Sequence, residues 1–361
     1  MRFISYLMKS MINNIIRKFW SENDFKDYFL EYCQDNPKRY LVELYASNKC
    51  NLRCKHCCQG KVKDETISKE LWIETVNTLL PIAKQFHVSG KEPSADDTSV
   101  SLLNSLLSIK IKNKILLTTI TNGQIYLPEM IDNNLGYLDN IEISIDGLEQ
   151  ENDYIRGINS FNNAISNLYK YMETYETQKI SVCCALNKIN IENIENYVTY
   201  FYNLGIKRLF FQVLEPIGRG ELIRDLIVTP IEFLKFVKSI EFFIKNSHYI
   251  KGVELKICIP NWLINNLIED TYTFTKLYNF IDTGCNYEEY WNDNIISFDF
   301  GIIDIPFWKN VIITQNGNVI SNYSDYYFDK KSLVTISKEN IYKLPFLIKN
   351  ELNNKLDDSS F

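Results

Sequence analysis

A parallel α/β fold is predicted by two features of the 361-residue sequence. Short apolar runs alternate with amphipathic helical segments six times between residues 40 and 220, and polar residues close nearly every run. Strand, helix, strand, repeated in this way, implies parallel strands joined by right-handed crossovers. Neither an internal repeat nor a low-complexity linker interrupts the pattern.

YLVELYA (40–46) is the first apolar run and leads into NKCNLRCKHCCQG (48–60). From about Ser68, Trp72, Val76, Leu79, Leu80 and Ala83 recur at helical spacing, which predicts one buried helix face. QFHVSG (85–90) is the second strand, followed by a helix around 99–109. ILLTTITNG (115–123) is the third, followed by a weaker helix near 128–134. NIEISIDG (140–147) alternates Ile141, Ile143 and Ile145 with Glu142, Ser144 and Asp146, and the next helix buries Phe161, Ile165, Leu168 and Met172. KISVCCALN (179–187) is the fifth strand, a helix from about Asn190 stops at Gly205, and KRLFFQVLEP (207–216) is the sixth. The expected architecture is a partial (β/α)6 barrel of the TIM type over residues 40–220. A helical extension (1–39) precedes it and an α+β cap region (221–361) follows.

Composition narrows the function. A hydrophobic share of 45% is enough to bury a sizeable core. The net charge of -6, with no long run of Lys or Arg, argues against a nucleic-acid partner. MRFISYLMKSMINNIIRKFW is interrupted by Lys9, Arg17 and Lys18 before it reaches signal-peptide or membrane length, so a cytoplasmic protein without a membrane partner is expected. Nine cysteines, an odd number, do not read as a disulfide framework in such a compartment.

The strand ends carry, in order, the cysteine loop, Gly90 to Pro93, Thr121-Asn122-Gly123, Ser144 with Asp146, Asn187, and Glu215 to Arg219. In parallel barrels this rim is where ligands bind. Cys50, Cys54 and Cys57 are spaced C-x3-C-x2-C. That spacing lets a short loop wrap three thiolates around one face of a cubane cluster and leaves the fourth iron open. The competing assignment is zinc, which wants four ligands, the fourth being His56 or Cys58. Cys58 directly follows Cys57 and reads as a small packing residue, and His56 as a residue that covers the site.

CNLRCKHC after a strand, with SGKEP about 35 residues further on, resembles the radical S-adenosylmethionine (SAM) superfamily. TNG, SIDG, DYIRGINSF (153–161) and PIGRG (216–220) are further local echoes, and the likeness runs from about residue 40 to 220. Together they most resemble the SPASM and twitch subgroup, many of whose members modify peptides. The resemblance implies that Cys50, Cys54 and Cys57 hold a 4Fe-4S cluster whose open iron chelates SAM. An electron from a donor such as flavodoxin or ferredoxin then lets SAM split to a 5'-deoxyadenosyl radical that abstracts hydrogen from a substrate. It also implies that Gly90, Glu92 and Pro93 receive the SAM amino group, with Lys91 where a second glycine is usual. Ser144 would face the ribose or carboxylate, and Arg156 is a candidate for the carboxylate, against the plainer alternative of a surface or helix-cap ion pair. Asn122 is a further candidate contact, although Asn-Gly is first a turn signal. Asp146 reads as a cap for the turn before Gly147, and Pro216 and Gly218 as residues shaping the last strand exit.

Residues 221–361 depart most from that subgroup. Cys285 is the last cysteine, and in TQNGNVISNYSDYY (314–327) Asn322 stands where the hairpin pattern expects another. A single cluster and a metal-free cap are therefore expected. The leading functional expectation is C-H chemistry such as epimerisation or crosslinking on a peptide, a natural-product precursor. The alternatives are a radical SAM enzyme on a small metabolite and a non-catalytic binding partner. For an epimerisation, Cys258 and Cys285 are candidate hydrogen donors, against the commoner fate of buried small hydrophobes.

Overall fold

The computed structural model describes residues 40–47, 49–59, 66–110, 112–127, 138–267, 270–282, 287–291, 293–301, 310–320 and 332–348. Its six expected strands are β1 (Tyr40–Ser47), β2 (Ala83–Gly90), β3 (Leu116–Thr121), β4 (Asn140–Ser144), β5 (Ile180–Leu186) and β6 (Arg208–Val213). Each pairs in parallel with the next. Helices α1 (Lys69–Leu79), α2 (Asp97–Lys110), α3 (Glu149–Arg156), α4 (Ser160–Thr174) and α5 (Ile194–Asn203) fill the connections. The extension 1–39 and the segment after Leu127 expected to be helical lie outside the described residues.

Local chemistry explains these elements. The Ser68 side chain accepts the Leu71 backbone N–H and caps α1, whose Trp72, Val76 and Leu79 are wholly buried against the sheet. Burying each such side chain contributes about 1.5–3 kcal/mol. Ile141 and Ile143 of β4 and Val182, Cys184 and Leu186 of β5 point into the same helix-covered core. Their neighbours Glu142, Ser144 and Cys183 lie on the opposite face, because side chains alternate along a strand.

The sheet continues past the sixth strand. After α6 (Pro230–Asn246), capped by a reciprocal Thr229–Glu232 box, β7 (Glu254–Pro260) pairs in parallel with β6. Helices α7 (Asn261–Leu267) and α8 (Thr271–Asp282) precede the hairpin of β8 (Tyr287–Trp291) and β9 (Asn294–Gly301), and β9 joins β7 in parallel. β10 (Asn310–Ile313) pairs in parallel with β1 at the other end, followed by the antiparallel β11 (Asn318–Ile320) and β12 (Val334–Thr335). The result is one twelve-stranded sheet in the order β12-β11-β10-β1-β2-β3-β4-β5-β6-β7-β9-β8. The expected division at residue 220 does not interrupt it. The β10–β11 hairpin falls where the sequence pattern suggested, while Asn322 and Cys285 lie outside the described residues.

The sheet curves. Lys256 on β7 and Arg208 on β6 both act electrostatically on Glu142 of β4, so the inner faces of non-adjacent strands look at one another. That concave face carries His87, Thr118, Glu142, Cys183, Phe210, Lys256, Cys258 and Asp299. Lys256 pairs with Asp299 at 3.1 Å, and His87 Nδ1 lies 2.8 Å from Thr118 Oγ1. Among the described residues no helix is long and apolar enough to cross a membrane.

Candidate functional site

The cysteine loop leaves β1 and is clamped from three sides. On the β2 side, Gly90 has φ +116, and a Cβ there would stand 2.9 Å from Ser47 O, so the backbone approach requires glycine. Gln59 Nε2 donates to Gly90 O at 2.8 Å, Lys91 N to Ser47 O at 3.3 Å and Glu92 N to Lys49 O at 3.1 Å. Lys91 is not among the described non-glycine residues with positive φ, so its Cβ is accommodated without strain.

Glu92 is buried, and its carboxylate accepts from Ser94 N and Oγ (3.1 and 2.6 Å), Thr121 Oγ1 (2.9 Å) and Asn122 N (2.6 Å). Burial raises its pKa, although these donors oppose the rise. Its side chain thus ties the β2 exit to the β3 exit. Pro93 opens the short 3-10 turn that follows and is buried. Asn122 makes more than a turn: its Nδ2 reaches Asn51 Oδ1 at 2.7 Å and Cys50 Sγ at 3.8 Å.

On the second side, α3 holds the loop. Lys55 N donates to Ile155 O at 2.8 Å. His56 Nε2 lies 3.0 Å from Asp146 Oδ2, and Arg156 grips the same carboxylate with Nε at 2.7 Å and Nη2 at 3.2 Å. Asp146 is wholly buried and also accepts from Ala185 N at 2.8 Å. Burial alone would raise its pKa; Arg156 and His56 outweigh that and hold it well below the usual carboxylate range. Arg156 does form an ion pair, but a buried one rather than the expected surface or helix-cap pair. Asp146 does more than cap a turn, because it joins β4, β5, α3 and the cysteine loop.

The third clamp is PIGRG. Arg219 donates through N to Cys57 O at 2.9 Å and through Nε to Cys54 O at 2.8 Å. A Cβ on Gly218 (φ +58) would lie 2.3 Å from Cys58 O and 2.6 Å from Cys57 O. Ser144 ends β4 half-buried beside Cys183, its register partner on β5.

Cys50, Cys54 and Cys57 are free thiols; Cys57 acts electrostatically on Cys50, and both act on Cys54. Cys50 is exposed, and its sulfur accepts the Leu52 N–H at 3.4 Å. Burial raises the Cys54 thiol to about 11 and raises Cys50 as well. Among the described residues no three His, Cys, Asp or Glu side chains converge tightly enough for one metal ion. His56 faces Asp146. Three thiols on one loop are the number that a cubane cluster with one open iron takes from a protein, and one fewer than a structural zinc site needs.

Sequence reading missed Gln59, Arg219 and the hub role of Asp146. It also missed the inner-face group of Glu142, Lys256, Asp299 and Cys183. Burial pushes Glu142 up to about 7, with Lys256 and Arg208 opposing, and Cys258 up to about 12.

Residues 44–201 match the sequence model of the radical SAM superfamily. The cofactors of that superfamily are a 4Fe-4S cluster and SAM. Among curated proteins, the Fe-coproporphyrin III synthase of Methanosarcina barkeri is 27% identical over 203 residues, 54% of this chain and 48% of that protein. A GTP 3',8-cyclase of Clostridium perfringens is 25% identical over 207 residues, 55% and 62% of the two chains. The chain thus spans about half to three-fifths of these relatives. Among solved structures, Streptococcus suis SuiB bound to S-adenosylmethionine shares the fold at TM-score 0.60 and 13% identity, over 91% of this chain and 73% of that one. Native anSMEcpe with bound AdoMet does so at 0.57 and 18%, over 88% and 82%.

Proposed function

We propose that this chain is a radical SAM enzyme whose Cys50, Cys54 and Cys57 hold the 4Fe-4S cluster. The observation that carries the reading is the triply clamped loop with its three neighbouring thiols. When bound, the cluster and SAM supply reductive formation of a 5'-deoxyadenosyl radical, which takes hydrogen from the substrate. The chain's own residues bind, orient and exclude water. Glu92 and Asn122 fix the β2 and β3 exits against the loop, so that the backbone of Gly90 to Pro93 can receive an ammonium group. Ser144 offers a hydroxyl to the ribose or carboxylate, and Arg156 acts on the loop through Asp146.

A peptide is the favoured substrate. The fold is shared with SuiB, one structure of which is bound to the precursor peptide SuiA (TM-score 0.59, 12% identity, 87% of this chain and 66% of that one). Epimerisation or crosslinking is the reaction class proposed. The second reading, a small-molecule substrate, is favoured by the curated relatives. For an epimerisation, Cys258 is the hydrogen donor we propose. It faces the concave side, and a thiol held up to about 12 keeps its S–H at neutral pH.

Protein reconstituted anaerobically with iron and sulfide and reduced with dithionite should cleave SAM to 5'-deoxyadenosine, and Cys54→Ala should abolish this. A wild-type protein that carries zinc and yields no 5'-deoxyadenosine defeats the reading. Cys258→Ala should retain cleavage but lose solvent deuterium from the product; unchanged deuterium uptake removes Cys258 from the mechanism.

A further inference from the structure

We propose that Glu142 is the counter-ion for a cationic group of the substrate, an ammonium or guanidinium such as a lysine or arginine side chain of a peptide, that enters the concave face. The inference rests on the enzyme reading above and adds to it the charge of the group held there. Burial is the largest influence on the ionisation of Glu142, Cys183, Lys256 and Cys258, yet each keeps accessible surface. Side chains walled in by protein but still touched by open space border an interior cleft. Glu142 lies two residues before Ser144 on the same face of β4, about 7 Å further into the barrel, a depth that a long flexible side chain can reach.

The two cations that act on Glu142 already have carboxylates of their own. Lys256 holds Asp299 at 3.1 Å, and Arg208 holds Glu254 at 3.0 Å and Asn140 Oδ1 at 3.0 Å. Glu142 is left over: among the described residues no hydrogen bond and no close ion pair holds its carboxyl. The groups that face it are Cys183 of β5, Arg208 of β6, and Lys256 and Cys258 of β7, while β3 offers Thr118 and Ile120, which carry no charge. His87, lowered to about 4 by desolvation, is uncharged on this face at neutral pH. A carboxyl enclosed without a donor is costly to ionise, and Lys256 and Arg208 only partly offset that cost. An arriving cation supplies the missing donors in a charge-assisted pair. An arriving anion would instead have to displace Asp299 from Lys256 beside a second carboxyl.

The test is calorimetric titration of the reconstituted, SAM-loaded protein, kept anaerobic and unreduced, with acetyl-Gly-X-Gly amides in which X is lysine, arginine, norleucine or glutamate. The lysine and arginine peptides should bind about 10- to 100-fold more tightly than the norleucine peptide, and the glutamate peptide no better than norleucine. Arginine keeps its charge throughout, so any proton released belongs to the protein. Repeating the arginine titration in buffers of different ionisation enthalpy should show about half a proton released at pH 7 and almost none at pH 9, because the pair draws Glu142, half protonated near 7, to its charged form. Glu142→Gln should erase both the preference and the release while keeping its iron, and Glu142→Asp should restore part of the preference. The wild-type ranking and proton count need no variant, so they decide the matter even where Glu142→Gln takes up less iron. Four peptides bound alike or not at all, a glutamate peptide bound most tightly, or the same proton release in Glu142→Gln overturns the inference while leaving dithionite-supported SAM cleavage intact. Absent dithionite-supported cleavage defeats the enzyme reading instead, whichever peptide binds.

Discussion

His56 Nε2 and Asp146 Oδ2 are 3.0 Å apart, so the residue between Cys54 and Cys57 is tied to the β4 exit through one buried carboxylate. Arg156 grips that carboxylate from α3. Asp146→Ala removes the only negative charge in this trio and leaves Arg156 buried and uncompensated, which should cost about 3–5 kcal/mol. Chemical denaturation of the cluster-free protein should register that loss, and iron uptake should fall with it. Asp146→Asn keeps the Ala185 N–H acceptor and should lie between. Wild-type stability and iron content in the alanine variant would refute the hub.

Gly218 and Gly157 separate steric from conformational cost. Both have positive φ, but a Cβ at Gly157 meets nothing within 4 Å, whereas at Gly218 it meets two carbonyls of the cysteine loop. Gly157→Ala should therefore cost about 1–3 kcal/mol from backbone strain alone and leave iron uptake unchanged. Gly218→Ala should displace the loop and lose most of the iron. Equal iron content in the two variants would show that PIGRG does not shape the cluster loop.

Much of this site was legible in the sequence because it is local. The cysteine spacing, the strand exits and the alternation in NIEISIDG lie within a few residues of one another. The α3 helix was not legible: EQENDYIR buries only Asn152 and Ile155, too little for an apolar stripe. β7 carries a readable period of two, with Leu255, Ile257 and Ile259 buried and Lys256 and Cys258 on the other face, but nothing local announces that it extends the barrel sheet. The pairing of β10 with β1 joins residues about 270 apart and has no local signature. The Asp146–Arg156–His56 trio is missed for the same reason, since each residue reads alone as a cap, a surface cation or a cover.

Lys91 stands where a glycine is usual in the family it resembles, yet its backbone does not need one. Lys91→Gly should leave the SAM dissociation constant within about threefold of wild type. It should lower stability by about 0.5–1 kcal/mol through unfolded-state entropy. Equilibrium dialysis with labelled SAM checks the first and urea denaturation the second. Tenfold tighter SAM binding would mean that the Lys91 Cβ does obstruct the amino-group contact.

Glu142 should make stability fall as pH rises. Its folded pKa of about 7 exceeds the ordinary value of 4.5, so between these values the folded state binds more protons than the unfolded state. Stability is then lost from about pH 4.5 to 7 as the carboxyl is forced to ionise on the concave face. Glu142→Gln should raise the unfolding free energy at pH 8, by an amount on the order of 1–3 kcal/mol, and change little at pH 4.5, as denaturant titration would read. His87, lowered to about 4 by desolvation, works in the opposite direction below pH 6.5 and is common to both proteins, so it cancels in the comparison. A variant gain that is the same at pH 4.5 and pH 8 would show that ionisation of Glu142 is not its cause.

The protein should carry one cluster, although it resembles a subgroup known for more. A further 4Fe-4S centre needs three or four thiolates at one point. Cys184 is wholly buried among core side chains, while Cys183 faces the concave side, so these adjacent residues cannot share a cluster. Cys258 is the other thiol on that side among the described residues. Outside the cysteine loop, Cys33 and Cys285 are the remaining cysteines, and no cysteine follows Cys285. Cys183 sits two strands from Cys258 and two rows lower, through Phe210 and Gln212 of β6. That separation is too wide for one short loop to wrap a cubane face. Iron and sulfide analysis of reconstituted protein should therefore give about four irons per chain. A variant with Cys50, Cys54 and Cys57 all replaced by Ala should retain almost none. About eight irons in the wild type, or four persisting in the triple variant, would place a second cluster on cysteines to which this account gives no iron.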